Sequence, residues 1–328
     1  MASTHEQAQR LVAQGRVDEA AEILIRGAEA GDADALFALA AWRIQGNLIA
    51  RDLASARSLM GRAADAGRLD ARMMYAYFLA NGTGGEPQWR HARDLLAGLA
   101  DQVPAVRGQL DLIAASPVDG EGDPTDLPEP VRLSDAPFAV TAKGLIGETE
   151  RAYLIERAEP SLRRSTVVDR RSGRTLAHPD RKSDTMLFGV GNEDLVISAL
   201  RRRVAAFCGV DAGRMEPLQI IRYRVGDEFR THVDAVAPGE NQRIMTALVY
   251  LTDDYDGGET QFTRTGLSFR GDAGDVLMFR NADEWGRADP LSEHAGLPVR
   301  RGTKIILSCW IREREYRFPP PVPISRRF

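Results

Sequence analysis

Small residues return every 36 positions through the first third of the chain. Ala20, Ala56 and Ala92 are in phase, as are Ala28, Ala64 and Ala100. The pair Ala30-Gly31 comes back as Ala66-Gly67, Ala35 as Ala71 and Gly46 as Gly82. Large apolar residues keep the same phase, Leu39 with Tyr75 and Trp42 with Phe78. A unit of that length cannot bury its apolar face alone, so the recurrence predicts stacked helix pairs. Small residues let neighbouring helices approach, large ones fill the gaps, and each glycine ends a helix. Residues 1–115 are therefore expected to form a helical lobe.

The run Ala64-Asp65-Ala66-Gly67-Arg68-Leu69-Asp70-Ala71 resembles Sel1-like repeats, relatives of the tetratricopeptide repeat. The resemblance covers about residues 5–115 as two good repeats and a shortened first one. Asp101-Gln102-Val103-Pro104 leaves the Ala-Gly pattern, as expected of a terminal capping repeat. It implies protein contact on a concave face; the plain alternative is a lobe that only stabilises its neighbour.

Residues 116–130 hold four prolines, two glycines and five acids, which suits a linker and no core. From Val131 the texture changes. Pro137–Thr141 reads as a strand, Glu148–Ala158 and Glu193–Phe207 as helices, the second with Leu195, Val196, Ala199, Leu200 and Val204 near helical spacing. Strand-like runs follow at Leu218–Val225, Ile244–Leu251, Leu267–Phe269, Val276–Phe279 and Thr303–Ile311, several of them separated by glycine turns. The expected fold class is α+β and multidomain. It comprises a helical repeat lobe (1–115), a linker (116–130) and a double-stranded β-helix, or jelly-roll, barrel with supporting helices (131–328).

Composition removes several function classes. A net charge of -4 argues against a dominant nucleic-acid role. No apolar run nears the ~18 residues that cross a bilayer, so no membrane partner is expected. Two cysteines, Cys208 and Cys309, cannot build a disulfide framework or a Cys-rich zinc site, and read as ordinary buried thiols. The opening residues lack a basic and apolar leader, so a cytoplasmic location is expected. Of 43 basic residues only Lys143, Lys182 and Lys304 are lysines.

His232-Val233-Asp234 falls in the strand-rich part. In a strand, residues two apart share a face, so an imidazole and a carboxylate could converge on one metal. His294 is the only other downstream histidine. Two histidines and a carboxylate with an open face suit a non-haem Fe(II) oxygenase; zinc takes the same ligands with a water. The ligand set alone leaves the metal open.

The surrounding sequence carries more. Tyr223, His232-Val233-Asp234, Arg243, Thr246 and Tyr250-Leu251-Thr252 are followed by Gly257-Gly258-Glu259-Thr260-Gln261-Phe262 and Gly274–Phe279. Asn281, Asp289–Val299 with His294, Gly302-Thr303-Lys304 and Trp310 complete the series. This set resembles the prolyl 4-hydroxylase family of Fe(II)- and 2-oxoglutarate-dependent dioxygenases over about residues 135–314, reaching upstream to Arg164–Asp169 and Arg181-Lys182-Ser183. One departure is Thr263, where the family commonly has proline.

The resemblance implies His232, Asp234 and His294 as iron ligands. It implies Lys304 for the distal carboxylate of 2-oxoglutarate, with Tyr223 hydrogen-bonding the same group and Thr260 lining that pocket. Arg243, Trp310 and Arg181 fall on the substrate side. The segment near Asp169–Ser183, with His178, is similar to the family's substrate-covering lid; a plain solvated loop is the alternative. The tail Phe318–Pro323 reads as polyproline II. The implied cofactors are Fe(II), 2-oxoglutarate and O2, with ascorbate as reductant. The expected reaction is hydroxylation of a C–H bond, foremost of prolyl residues in a protein or peptide recruited by the repeats. Without a leader, collagen is not the expected target. The alternatives are the same chemistry on a free amino acid, another residue type or a small metabolite, or a non-catalytic repeat scaffold.

Overall fold

The computed structural model describes residues 3–168, 175–177, 180–283 and 285–317. His178 and the run Pro319–Pro323 lie outside the described residues. Seven helices fill the repeat region: α1 (Thr4–Ala13), α2 (Val17–Glu29), α3 (Ala33–Gln45), α4 (Leu53–Asp65), α5 (Leu69–Asn81), α6 (Trp89–Ala97) and α7 (Pro104–Ala115). Their ends are written in side chains. Asp32 accepts from the Asp34 and Ala35 amides at the start of α3, and Asp52 from the Ser55 amide at the start of α4. Gly46 and Gly82 close α3 and α5 at φ 68° and 66°, left-handed values that glycine adopts without strain.

The in-phase alanines Ala20, Ala56 and Ala92 are fully buried, as are Ala35 and Ala71. Leu39, Trp42 and Phe78 are buried too, while Tyr75 packs half-buried against the cluster. The chain divides into two compact units, and residues 190–198 cluster with the helical one. There the Asn81 amide donates to the Glu193 carbonyl at 2.7 Å. Residues 116–130 contain no helix or strand, yet residues up to Gly122 belong with the helices. A Cβ at Gly122 would come within 2.3 Å of the Trp89 indole.

The second unit begins with β1 (Val131–Asp135), β2 (Phe138–Ala142), α8 (Glu148–Ala158), β3 (Arg163–Arg164), β4 (Thr166–Val168), β5 (Thr175–Ala177) and β6 (Asp184–Leu187). After α9 (Leu195–Phe207) come β7 (Gln219–Tyr223), β8 (Phe229–His232), β9 (Arg243–Tyr250), β10 (Tyr255–Gly257) and β11 (Thr260–Phe262). The last are β12 (Ser268–Phe269), β13 (Val276–Arg280), β14 (His294–Gly296), β15 (Val299–Gly302) and β16 (Lys304–Arg312). Helix α9 starts at Leu195 rather than the expected Glu193, because the buried Asp194 carboxylate caps the Val196 and Ile197 amides.

An eight-stranded antiparallel sheet runs β1-β2-β13-β9-β16-β7-β6-β3, and a four-stranded one runs β12-β11-β14-β8. Ile221, Leu248, Leu277 and Ile306 of the large sheet share one core with Phe262 of the small sheet. Phe262 and Phe279 meet edge to face across it, ring centroids 5.1 Å apart. Two antiparallel sheets closed over one core have the layout of a jelly roll.

Candidate metal and cosubstrate site

Strands β8 and β14 are antiparallel neighbours, and His232 stands directly opposite His294 in their register. The two imidazole centroids are 4.3 Å apart. Phe229 stacks on His232 at 3.5 Å and 16°. Asp234 does not arrive by strand alternation as expected. Strand β8 ends at His232, and the chain beyond it brings the carboxylate back. Asp234 Oδ1 lies 3.6 Å from His232 Nε2, and Oδ2 lies 3.9 Å from His294 Nε2. All three donor atoms fall within 4.8 Å of one another.

Hydrogen bonds aim these donors. His232 Nδ1–H donates to the Arg230 carbonyl at 2.8 Å, and His294 Nδ1–H to that of Ser292 at 2.9 Å. Each bond fixes the tautomer that leaves Nε2 free to ligate. Burial, with His294 beside it, lowers His232 to about 4, so its ring is neutral near pH 7. Burial alone would raise the Asp234 carboxyl. His294, His232 and the Thr246 hydroxyl outweigh it and hold the group below its usual range. A carboxylate and two imidazoles whose Nε2 atoms converge on it fit a divalent first-row metal.

Behind Asp234 runs a chain of hydrogen bonds. The Thr246 hydroxyl donates to Asp234 Oδ2 at 2.6 Å, and Asn281 Nδ2 donates to Thr246 Oγ1 at 2.8 Å. Both residues are buried. The sequence pattern contained them without giving either a role. Their meeting depends on the β9–β13 register, which sets Thr246 against Phe279, two residues before Asn281.

Strand β16 lines the same cavity with every second residue: Lys304, Ile306, Ser308 and Trp310. Lys304 pairs across the ladder with Tyr223. Its Nζ donates to the Gly258 carbonyl at 2.6 Å and lies 5.5 and 5.4 Å from the Tyr223 and Tyr250 ring centroids. Lys304 is 2% exposed, and burial lowers it to about 8. Burial raises the Tyr223 phenol, which stays a neutral donor. Thr260 lines the cavity, its hydroxyl 3.2 Å from that of Tyr250. One cavity thus holds the metal donors and a buried cation.

The substrate-side residues divide. Trp310 lines the cavity. Arg243 is not among the lining residues; it ion-pairs with Glu216 at 2.5 and 2.9 Å, its guanidinium lies 3.9 Å over the Trp310 ring, and its charge helps hold Asp234 ionised. Arg181 bonds Gln219 Oε1 at 3.3 Å, lies 5.5 Å over the Phe229 ring and bridges to Phe229 on the β8 edge.

Residues 218–312 match the family model of the 2OG-Fe(II) oxygenase superfamily. Prolyl 4-hydroxylase 1 of Arabidopsis thaliana is 32% identical over 205 residues, spanning 57% of this chain and 72% of the relative. Probable prolyl 4-hydroxylase 10 of the same plant is 30% identical over 209 residues, spanning 56% and 72%. Among solved structures, the viral collagen prolyl hydroxylase of Paramecium Bursaria Chlorella virus-1 is 26% identical, covers 56% of this chain and 99% of its own, and has a TM-score of 0.45.

Proposed function

The chain belongs to the prolyl 4-hydroxylase family of Fe(II)- and 2-oxoglutarate-dependent dioxygenases, and from that premise we propose that its substrate is a prolyl residue in a protein or peptide. The balanced reaction takes a C–H bond, O2 and 2-oxoglutarate to an alcohol, succinate and CO2. The observation that carries this reading is that His232, Asp234, His294, Lys304 and Tyr223 line one cavity.

In this reading His232, Asp234 and His294 hold Fe(II). Lys304 receives the distal carboxylate of 2-oxoglutarate, and the Tyr223 phenol donates to the same group. Bound there, Fe(II) would supply the redox chemistry that couples loss of CO2 from 2-oxoglutarate to insertion of one oxygen atom into a C–H bond; ascorbate stands outside that balance and would serve only to keep the iron as Fe(II). The protein's own work is positional. Thr246 and Asn281 fix the Asp234 carboxylate, the Arg230 and Ser292 carbonyls fix the imidazoles, and Ile221, Leu248 and Ile306 give the cavity an apolar wall. The 36-residue phase and the left-handed glycines ending α3 and α5 support reading the helical unit as Sel1-like repeats that recruit the target.

Mass spectrometry of proline-containing peptides and a cell lysate tests the reading, after incubation with Fe(II), 2-oxoglutarate and O2. The expected product is one added oxygen on a prolyl residue with the wild type and none with His232→Ala. Oxygen found only on other residues or on a small metabolite overturns the prolyl substrate. Full activity in His232→Ala overturns the iron assignment.

A further inference from the structure

Among the described residues, eight large apolar side chains are exposed, and Trp285, at 70%, is the most exposed. It is not loosely hung. The Trp285 and Arg287 amides both donate to Asp283 Oδ1, at 3.0 and 2.9 Å, and Arg287 Nε donates to Asp283 Oδ2 at 2.7 Å. The Arg287 guanidinium lies 4.8 Å over the indole and covers one of its faces. At 70% exposure the opposite face is left to solvent.

This aromatic post is tied to the cavity through a buried amide. Gln242, 4% exposed, spends its whole carboxamide. Oε1 accepts from the Val236 and Arg243 amides at 2.7 and 3.0 Å, and Nε2 donates to the Val236 and Gly286 carbonyls at 3.1 and 3.3 Å. The neighbour of Trp285 is thereby joined to the segment that follows the ligand Asp234. It is joined equally to Arg243, whose guanidinium stacks on Trp310. Along β16 the cavity runs from Lys304 to Trp310, and three residues beyond Trp310 the Glu313 amide bonds the Gln242 carbonyl at 2.8 Å. Trp285 is therefore anchored at the end of the cavity away from Lys304. Val233, 46% exposed between two of the ligands, adds apolar surface near the metal donors.

The Trp310 end, away from the buried Lys304, leaves room for the residues that flank a target residue in the cavity. An extended proline-containing segment has no amide hydrogen to satisfy at each proline, little entropy to lose, and flat rings that dock on aromatic faces. We propose that Trp285 is a substrate-docking residue that stacks a proline ring in the peptide segment flanking the hydroxylated residue, so that the enzyme prefers proline-rich peptides. The inference rests on the prolyl reading above.

Steady-state kinetics on the full chain, loaded with Fe(II) and 2-oxoglutarate and using poly-L-proline as the probe, provide the test. Trp285→Ala should raise KM for poly-L-proline about tenfold, the worth of one aromatic stack. Its kcat and its KM for 2-oxoglutarate should stay within about twofold, and Trp285→Phe should recover most of the loss. A KM for Trp285→Ala equal to that of the wild type overturns the docking role and leaves the prolyl reading standing. A wild type that makes no hydroxyproline from poly-L-proline also overturns it, and the lysate assay then decides whether the prolyl reading falls as well.

Discussion

Lys304 shows what a single buried charge can decide. Its one acceptor among the described residues is the Gly258 carbonyl, and two phenol rings flank its ammonium. Burial has lowered it to about 8, so in the ligand-free enzyme the ammonium is present below that pH and lost above it. A carboxylate arriving at this site needs the proton. Affinity for 2-oxoglutarate should therefore be flat below pH 8 and fall about tenfold per unit above it. Calorimetric titration with Mn(II) in place of Fe(II) measures this; a flat curve through pH 9.5 would remove Lys304 from the role. Lys304→Met should weaken binding on the order of a hundredfold and abolish the pH dependence. Thr246 is a positioning residue, acting through Asp234. Thr246→Val leaves Asp234 Oδ2 without its 2.6 Å donor and should weaken metal affinity about 10–100-fold, with Thr246→Ser restoring it. Equal Mn(II) affinities in the three proteins would count against this chain of bonds. The ligands and Lys304 were legible in the sequence because the family resemblance rests on motifs that lie in order along one chain. The role of Thr246 was not, nor was the stacking of Arg243 on Trp310. Both arise across strands, where register and not spacing decides what meets.

At the scale of elements, long segments were readable and short ones were not. The helix expected over Glu148–Ala158 is α8 with the same bounds, and the apolar runs around β9, β13 and β16 became strands shifted by a residue or so. Strands of two or three residues, such as β3, β10 and β14, are too brief for a two-residue alternation to register. Yet β14 is the strand that sets His294 opposite His232. The turn before β16 is similarly decisive. Gly302, at φ 74°, pairs with Tyr255 at the end of β15, and a Cβ there would stand 2.1 Å from the Asp254 carbonyl oxygen and 2.9 Å from the Tyr255 Cα. Backbone, not a flexible side chain, is in the way. Gly302→Ala should cost about 1–3 kcal/mol of stability. Two residues on, it should displace Lys304 from the Gly258 carbonyl and raise KM for 2-oxoglutarate. Thermal melting and cosubstrate kinetics together check both effects; a variant with wild-type Tm and KM would mean the strand end yields freely.

At the scale of the whole molecule, the sequence pattern placed the boundary of the helical lobe near residue 115 because the proline-, glycine- and acid-rich run begins at Ser116, after the alanine phase has ended at Ala100. Nothing in that phase marks residues 190–198 as part of the same unit, since they lie far along the chain and carry no repeat signature. Their signal is of another kind. The one-sided apolar spacing read for α9 leaves out Ile197 and Ser198, yet Leu195, Val196, Ile197 and Ser198 are all buried, so this turn of helix is enclosed on every side. Cutting the chain at residue 115 would take the Asn81 amide from the Glu193 carbonyl and strip residues 190–198 of the unit they cluster with. The fragment 116–328 should melt below the full chain by on the order of 5 °C. Scanning calorimetry decides it; equal Tm values would show that the helical unit gives that segment no support. For the same reason, lost activity in such a fragment cannot by itself reveal recruitment. The cleaner probe keeps the chain whole and changes two exposed apolar residues of the helices, Ile25 and Leu69, at 40% and 45% exposure. If the helices recruit a protein substrate through apolar surface there, Ile25→Asp with Leu69→Asp raises KM for the intact protein and leaves a short peptide's kinetics unchanged. An equal effect on both substrates would assign those residues to stability alone.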